Sequence, residues 1–310
     1  MDTPHIPVLL NETINLLNIR SNGIYVDMTL GRGGHSSEIL KSLKEKGLLI
    51  SIDQDDEAIE YAKNKFQGNG NIEIVRANFK DIDKVLKKFD INQVDGIIFD
   101  LGVSSPQFDE PERGFSYNFL SSKLDMRMNR ENTLTAEYIV NHYSFKDLVR
   151  IFKEYGEEKF SSKIAHNIVK QRTLKPIENV GELVEIIKKS KPSADLSKKG
   201  HPAKQIFQAL RIEVNDELNS LKEAITKSLS VVKVGGRIAI ISFQSLEDRI
   251  VKDAFKEVSI VVGNRYNFET KDDKPSWKMI TKKPIVPSEE ELLENHRAQS
   301  AKLRVIERIL

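Results

Sequence analysis

The chain has 310 residues, of which 39% are hydrophobic and 30% charged, with a formal net charge of +2 and no cysteine. This length predicts about two domains, and the composition is typical of a soluble globular protein. Because cysteine is absent, disulfides, thiolate zinc sites and a cysteine nucleophile for C5 methylation of pyrimidines are excluded.

The chain carries no signal for a membrane or a metal. Its first residues lack the basic and apolar segments of a signal peptide, and its longest apolar runs are too short to span a bilayer. The six histidines show neither i, i+4 pairing nor HExxH spacing, so no transition-metal site is expected. We therefore expect a cytoplasmic protein without a membrane partner.

The stretch VDMTLGRGGHS, residues 26–36, predicts the end of a buried strand, a turn and a helix. Gly31, Gly33 and Gly34 form the turn, and Ser36 opens an amphipathic helix. This arrangement aims backbone N–H groups and a helix N-terminus at a ligand. The turn therefore indicates a nucleotide-like cofactor.

An acidic residue follows the next predicted strand. The strand covers residues 48–52 and ends in Asp53, nineteen residues after Gly34. A carboxylate at that distance suits the hydroxyl groups of a ribose.

Strand and helix patterns alternate up to residue 104. Helical patterns cover residues 57–66 and 81–88, and strand patterns cover 72–75 and 94–99. The third strand leads into a loop with Phe79, and the fourth ends in Asp100. Such alternation predicts a doubly wound, mostly parallel sheet, whose ligands bind beyond the carboxyl ends of the strands. We expect the glycine turn, Asp53, Phe79 and Asp100 to converge on one crevice.

The alternation then stops and later returns. Between the two parts, helical patterns cover residues 134–142, 145–155, 161–170 and 180–189. After them come a helix at 218–229, a strand at 237–242, a helix at 248–256 and a capping-box pattern, Ser288 with Glu291. We predict a discontinuous α/β domain, residues 1–104 and 216–310, interrupted by an all-helical domain, residues 105–215.

The charge is unevenly distributed. Between Lys159 and Lys204 stand eleven lysines and arginines against four acidic residues, a local charge of +7 that leaves −5 for the rest. A basic segment in an inserted domain favours a polyanionic partner such as RNA. A solvated helical face explains the lysines equally simply.

Two cofactor classes compete at the glycine turn. A dinucleotide oxidoreductase needs G-x-G-x-x-G, but Ser36 stands where the third glycine belongs. S-adenosylmethionine methyltransferases favour an acidic residue, as Asp27 is here, shortly before a shorter glycine cluster. A Walker loop is excluded because no Gly-Lys-Ser/Thr follows.

Longer motifs occur along nearly the whole chain. They are HIPVLLNE at 5–12, GRGGHS at 31–36, DLGVSSPQFDEPERGFS at 100–116, LDMRM at 124–128, HPAKQIFQALRIEVNDEL at 201–218, GGRIAIISFQSLEDRIVK at 235–252 and HRAQSAKLRVIER at 296–308. In these motifs and their order the chain resembles the MraW/RsmH family of ribosomal RNA methyltransferases. It departs from the family at Met28, Leu30 and Asn129, none of which is a carried-over cofactor contact.

The resemblance implies a Rossmann-like S-adenosylmethionine methyltransferase domain with a helical insertion that recognises RNA. It also implies methylation of N4 of a cytidine in the decoding region of 16S ribosomal RNA, with free small-subunit RNA or the assembled subunit as substrate. By motif position, the residues that contact S-adenosylmethionine would be Gly33, Gly34, His35, Asp53, Phe79, Asp100 and Gln107.

The residues themselves suggest how an amine could be methylated. The exocyclic amine of cytosine is a poor nucleophile because its lone pair is delocalised into the ring, so an acceptor for its N–H would help. Asp100, at the tip of the fourth strand, is the candidate catalytic residue, although it could serve cofactor binding alone. A non-catalytic RNA-binding module and an NAD-dependent oxidoreductase are the alternative functions.

Overall fold

The computed structural model describes residues 7–260 and 275–310, so His5 and Ile6 of the first motif lie outside the described residues. The chain divides into two compact units. We call residues 1–102 with 218–310 the sheet unit, and residues 103–217 the insertion unit. The sequence predicted the two domain boundaries after residues 104 and 215.

A seven-stranded sheet forms the centre of the sheet unit as far as it is described. The strands are β1 (Ile24–Asp27), β2 (Leu48–Asp53), β3 (Ile72–Arg76), β4 (Val94–Asp100), β5 (Val232–Ser242), β6 (Trp277–Met279) and β7 (Lys302–Arg308). Their spatial order is β3-β2-β1-β4-β5-β7-β6, with β1 to β5 parallel and β7 antiparallel to both neighbours. The predicted doubly wound, mostly parallel sheet is confirmed, and its strand order reverses between β1 and β4, where such sheets bind ligands.

Most of the described helices follow the predicted patterns, but residues 10–17, 105–109, 193–196 and 204–215 form helices that were not predicted. Before the insertion stand α1 (Leu10–Leu17), α2 (Gly34–Ser42), α3 (Asp56–Lys65) and α4 (Ile82–Lys88). In the insertion unit stand α5 (Ser105–Asp109), α6 (Ala136–His142), α7 (Phe145–Glu154), α8 (Ser161–Arg172), α9 (Val180–Ser190), α10 (Ser193–Leu196) and α11 (Lys204–Asn215). The last three are α12 (Glu217–Val231), α13 (Ser245–Val258) and α14 (Glu289–Glu294).

Two hydrophobic layers cover the two faces of the sheet. Val26 and Ile97 point into the layer formed with α4, α12 and α13, whereas their neighbours Tyr25 and Ile98 point into the layer formed with α1 and α2. This alternation follows from the period of two in a strand. Helices therefore flank the sheet on both sides and leave the carboxyl ends of the strands as the place for a ligand.

The insertion unit has a hydrophobic core of its own. Its larger helices, α6 to α9 and α11, supply most of the buried side chains. Helix α11 was not predicted, because residues on most of its circumference are buried and its pattern is not simply amphipathic.

Strand β7 was also missed, because charged residues interrupt its apolar pattern. Arg304 in its middle is nevertheless buried, since Nε and Nη2 donate to the Asp248 carboxylate on α13, at 2.7 and 3.2 Å. The ion pair lets a charged residue occupy a central strand.

The predicted capping box at α14 is half present. The Ser288 hydroxyl accepts the backbone N–H of Glu291 at 3.1 Å. The Glu291 carboxylate instead accepts the backbone N–H of Leu9, at 2.7 Å. It therefore links this helix to the beginning of the chain.

No helix among residues 7–260 and 275–310 is long and apolar enough to cross a membrane.

Candidate functional site

The glycine turn connects β1 to α2. Gly31 and Gly33 have positive φ angles of 49° and 66°, which favour glycine. Helix α2 begins at Gly34, two residues earlier than predicted, because Gly33 in the left-handed region is already its N-cap. His35 and Ser36 consequently lie in the first turn of the helix, where they reach the ends of β1 and β4.

Residues at the C-terminal end of α3 contact the glycine turn. A Cβ added to Gly33 would lie 2.7 Å from the ring of Phe66, so a larger residue there requires a shift. The Lys65 ammonium donates to the carbonyl groups of Arg32 and Gly33, at 2.8 and 3.2 Å. The sequence alone indicates no role for Lys65, because the contact joins residues that lie far apart in the chain.

Asp53 ties the end of β2 to the same turn. Its Oδ2 accepts the backbone N–H of Gly31 at 2.8 Å, and its Oδ1 accepts that of Asp55 at 3.0 Å. Burial raises the pKa of Asp53 to about 6, against the lowering effect of these two N–H donors. A carboxylate oxygen can accept more than one hydrogen bond, so Asp53 can also receive the hydroxyl groups of a ribose.

Asp27 and Ser36 join α2 to the sheet. The buried Asp27 carboxylate accepts the Ser36 hydroxyl at 2.6 Å and the backbone N–H of Thr29 at 3.1 Å. The Ser36 hydroxyl also lies 2.9 Å from that of Ser51 on β2. Burial raises the pKa of Asp27 to about 6. Ser36, at the position of the third dinucleotide glycine, is therefore a polar link between helix and strands.

Asp100 ends β4 beside this turn. Its backbone N–H donates to the Thr29 hydroxyl at 2.6 Å, and its Oδ2 lies 3.6 Å from Nδ1 of His35. The buried His35 contacts the carbonyl oxygen of Val8 through Nε2, at 3.2 Å. Oδ1 of Asp100 is a buried atom without a hydrogen-bond partner in the described part of the chain. It is an acceptor that a bound molecule can satisfy.

The surroundings of Asp100 disfavour its charged form. Burial raises its pKa to about 8, and the negative charges of Asp27 and Glu247 act in the same direction. Glu247, on α13, accepts the backbone N–H groups of Phe243 and Gln244, at 2.9 and 3.1 Å. Glu247 belongs to the motif at residues 235–252, but the sequence alone indicated no role for it.

Phe79 follows β3 and begins a short 3₁₀ turn, Phe79–Asp81, where the sequence predicted a loop. Its half-buried ring packs edge-on against Phe99 of β4, with centroids 6.0 Å apart. The preceding Asn78 donates to the Gln54 side chain at 2.9 Å, which brings the end of β3 beside the end of β2. Phe79 thus stands at the same edge of the sheet as Asp53.

Gln107 belongs to the insertion unit. Its side chain is buried, and its Oε1 accepts the backbone N–H of Ser104 at 3.0 Å. It forms a capping box with Ser104 at the start of α5. Of the predicted cofactor contacts, the other six lie in the sheet unit: Gly33, Gly34, His35, Asp53, Phe79 and Asp100.

The basic segment is less uniform than its charge count indicates. The Lys191 ammonium is buried, lies 2.6 Å from the Glu158 carboxylate and donates to the carbonyl of Pro202 at 2.7 Å. Arg172 donates to the carbonyl groups of Val140 and Tyr143, at 2.9 and 2.7 Å. These two cations belong to the packing of the insertion unit, so counting them toward a polyanion-binding surface was wrong.

One helix of the segment presents cations to solvent. Lys163, His166 and Lys170 are exposed and lie on the same face of α8, three and four residues apart. We call these three residues the α8 stripe. No ion pair to Lys163 or Lys170 occurs among the described residues. The stripe is therefore available to an anionic partner.

Among residues 7–260 and 275–310, no group of three or more His, Asp or Glu side chains is placed to hold a metal ion.

Comparison with known proteins covers the full length of the chain. A model of the MraW methylase family matches residues 2–309. Ribosomal RNA small subunit methyltransferase H of Streptococcus dysgalactiae subsp. equisimilis is 50% identical over 309 residues, 98% of this chain and 98% of that protein. The protein of the same name from Halothermothrix orenii is 52% identical over 308 residues, 99% of each chain. A solved structure, a putative rRNA-methylase from Clostridium thermocellum, matches with a TM-score of 0.45 at 12% identity, over 99% of this chain and 100% of that one.

Proposed function

The chain belongs to the MraW methylase family, and from this premise we propose that it methylates the exocyclic N4 of a cytidine in the decoding region of 16S ribosomal RNA. At the coarser level it is an S-adenosylmethionine-dependent ribosomal RNA methyltransferase. The substrate in this proposal is cytoplasmic small-subunit RNA, free or within the assembled subunit.

The sheet unit has groups that fit the cofactor. The N-terminus of α2 offers backbone N–H donors, Asp53 offers acceptors for ribose hydroxyl groups, and the half-buried ring of Phe79 offers an apolar wall for adenine. Asp100 is a carboxyl group that can face a positive charge. S-adenosylmethionine supplies a methyl group on a positively charged sulfur, which is already activated for transfer. The protein then has to align the nucleophile with that methyl group.

The observation that carries the proposal is the unsatisfied Oδ1 of Asp100. It is buried at the carboxyl end of β4, where the backbone N–H of Asp100 donates to Thr29, just before the glycine turn. An amine N–H of cytosine would satisfy it and would leave the nitrogen lone pair directed at the methyl group. Because the chain has no cysteine, the covalent route to C5 of a pyrimidine is closed. An exocyclic nitrogen is the acceptor that these two facts favour.

His35 and Gln107 are the remaining residues assigned to the cofactor by motif position. His35 lies against Asp100 and orients its carboxyl group. Gln107 is assigned to the cofactor by motif position, although its side chain also caps α5 within the insertion unit. The insertion unit supplies the RNA contacts in this proposal, through the exposed part of its basic segment.

Mass spectrometry of nucleosides tests the proposal. Small-subunit RNA and assembled subunits that lack the modification are incubated with the protein and S-adenosylmethionine, then digested. We expect N4-methylcytidine as the product. The Asp100→Asn variant should lose turnover by about a hundredfold or more at saturating cofactor, because its amide oxygen can accept a hydrogen bond from the amine but cannot take up the proton.

The matched control is Asp90→Asn. Asp90 is exposed and has a φ of 54°, a conformation in which asparagine is well tolerated, so its turnover should match the unmodified protein. Appearance of 5-methylcytidine, or full turnover by Asp100→Asn, would contradict the proposal.

A further inference from the structure

The contact between His35 and Asp100 restricts where a proton can lie. The carbonyl oxygen of Val8 can only accept a hydrogen bond, so Nε2 of His35 carries the hydrogen that it donates there. In a neutral imidazole, Nδ1 then presents a lone pair to Oδ2 of Asp100, 3.6 Å away. Two lone pairs facing each other are unfavourable, so the pair favours one shared proton, on the carboxyl group or on Nδ1.

The neighbouring acids are better stabilised as anions than Asp100. Asp27 of β1 accepts the hydroxyl of Ser36 and a backbone N–H, and Glu247 of α13 accepts two backbone N–H groups. Oδ1 of Asp100 accepts none from the described residues. The negative charges of Asp27 and Glu247 further raise its pKa, to about 8. Of these three carboxyl groups, Asp100 therefore has the surroundings that most favour the protonated form.

We propose that His35 and Asp100 hold one proton between them, that the binding of S-adenosylmethionine expels it, and that the proton lost by the amine in methyl transfer replaces it. The inference rests on the proposed function, because it assumes that cofactor and that amine. The physical reason is charge. With its proton the pair is neutral, and without it the pair carries −1, which compensates the positive sulfonium in a partly buried site.

The balance of the transfer step follows from this pair. The bond between sulfur and the methyl carbon breaks, and its electron pair stays on sulfur, which becomes neutral. The amine nitrogen forms the new bond to carbon with its lone pair, and its proton passes to Asp100. The positive charge lost at sulfur is thus regained as a proton on the pair, so the total charge of the site stays constant. The next S-adenosylmethionine to bind expels that proton and resets the site.

Calorimetry of cofactor binding, in the absence of RNA, tests the inference. The full chain is titrated at pH 7 with S-adenosylmethionine and separately with S-adenosylhomocysteine, in buffers of different ionisation enthalpy. The two molecules share every group except the methyl group and its positive charge, so the difference in protons released isolates the sulfonium. We expect S-adenosylmethionine to release close to one proton more. Equal release for the two molecules would overturn the inference.

Variants separate the proton role from a structural one. Asp100→Asn should abolish the difference in proton release. His35→Gln keeps a donor for the Val8 carbonyl but loses Nδ1, so the pH of half-maximal difference should fall by about one unit. If His35 only supports the fold, this variant will bind both molecules more weakly with an unchanged midpoint, and its positioning role is refuted. As a control, Asp53→Asn should weaken both ligands alike and leave the difference unchanged.

The outcomes distinguish this inference from the proposed function. If the proton difference is found but the RNA product is not N4-methylcytidine, the pair responds to the sulfonium and the assigned methyl acceptor is wrong. If N4-methylcytidine forms and the two cofactors release equal numbers of protons, the function stands and the pair does not hold the proton.

Discussion

Lys189 and Lys191 stand two residues apart in the basic segment, yet only one of them is in contact with solvent. Lys189 is exposed on α9, whereas Lys191 is buried against the Glu158 carboxylate. A lysine side chain is stable in the interior only when its charge is paired and its hydrogens are bonded, and Glu158 with the Pro202 carbonyl meets both conditions. Residue type alone therefore does not reveal which lysines can meet RNA.

The buried ion pair between Lys191 and Glu158 predicts a large difference in stability between two similar variants. Lys191→Ala should lower the free energy of unfolding by about 3–5 kcal/mol, because it leaves the Glu158 carboxylate buried without a partner. Lys189→Ala should change it by less than about 0.5 kcal/mol. Urea denaturation followed by circular dichroism measures both. Similar midpoints for the two variants would show that the buried ion pair is not important, and combining Glu158→Gln with Lys191→Met should recover much of the loss.

At the scale of elements, the end of α3 packs against the turn between β1 and α2. The cofactor is proposed to bind at this turn. Phe66 fills the space beside Gly33, and the Lys65 ammonium is fixed on the carbonyl groups of the turn. The turn is thereby held in a positive-φ conformation before any ligand arrives. Such preorganisation lowers the entropic cost of binding.

The close contact between Gly33 and Phe66 predicts that Gly33→Ala weakens cofactor binding. A left-handed conformation costs a residue with a Cβ about 1–2 kcal/mol, and the new methyl group would also collide with Phe66. We expect an affinity loss of tenfold or more for S-adenosylmethionine and S-adenosylhomocysteine alike, measured by calorimetry.

A second substitution separates the two causes. Phe66→Leu added to Gly33→Ala should relieve the collision but leave the conformational cost, so part of the affinity should return. The control is Gly70→Ala, at an exposed glycine with no heavy atom within 4 Å of a new Cβ. Wild-type affinity in Gly33→Ala would show that the turn adapts freely.

At the scale of the whole molecule, positive charge is concentrated in one segment of the insertion unit. Residues 103–217 as a whole carry 19 Lys/Arg against 17 Asp/Glu, a net charge of +2, and the sheet unit carries 0. The basic segment carries +7 and the rest of the chain −5, and the α8 stripe is an exposed part of that segment. A protein that neutralises phosphates with lysines releases counterions, so its affinity falls with salt. The uneven charge therefore favours an RNA surface on this segment rather than on the insertion unit as a whole.

The proposed RNA surface predicts a change in salt dependence. Lys163→Glu with Lys170→Glu should weaken binding of small-subunit RNA and flatten the plot of log affinity against log salt, by about 0.7–0.9 for each phosphate contact removed. Cofactor affinity should not change, because neither lysine is among the residues proposed to contact the cofactor. Fluorescence anisotropy with labelled RNA, at several salt concentrations, gives the slope.

The control for this experiment carries the same change in charge. Lys222→Glu with Lys256→Glu alters two exposed lysines on α12 and α13 of the sheet unit. Equal effects of the two double variants, on free RNA and on assembled subunits, would remove the α8 stripe from the mechanism.

Local pattern in the sequence was sufficient for the parallel part of the sheet and for most helices. Apolar runs such as residues 48–52 and 94–99 predicted β2 and β4, because a strand buried on both faces is apolar throughout. The glycine turn and Asp53 were predicted to lie together because they follow neighbouring strands, and Asp53 does accept the backbone N–H of Gly31. The family followed from motifs spread over the full length.

Tertiary structure alone decided what depends on distant partners. The burial of Arg304 in β7 depends on Asp248, and the burial of Lys191 depends on Glu158. Burial raises the pKa of Asp100, and the negative charges of Asp27 and Glu247, which are 73 and 147 residues away in sequence, act in the same direction. Burial and charge act through space, so a pattern read along the chain identifies these residues but does not assign their partners.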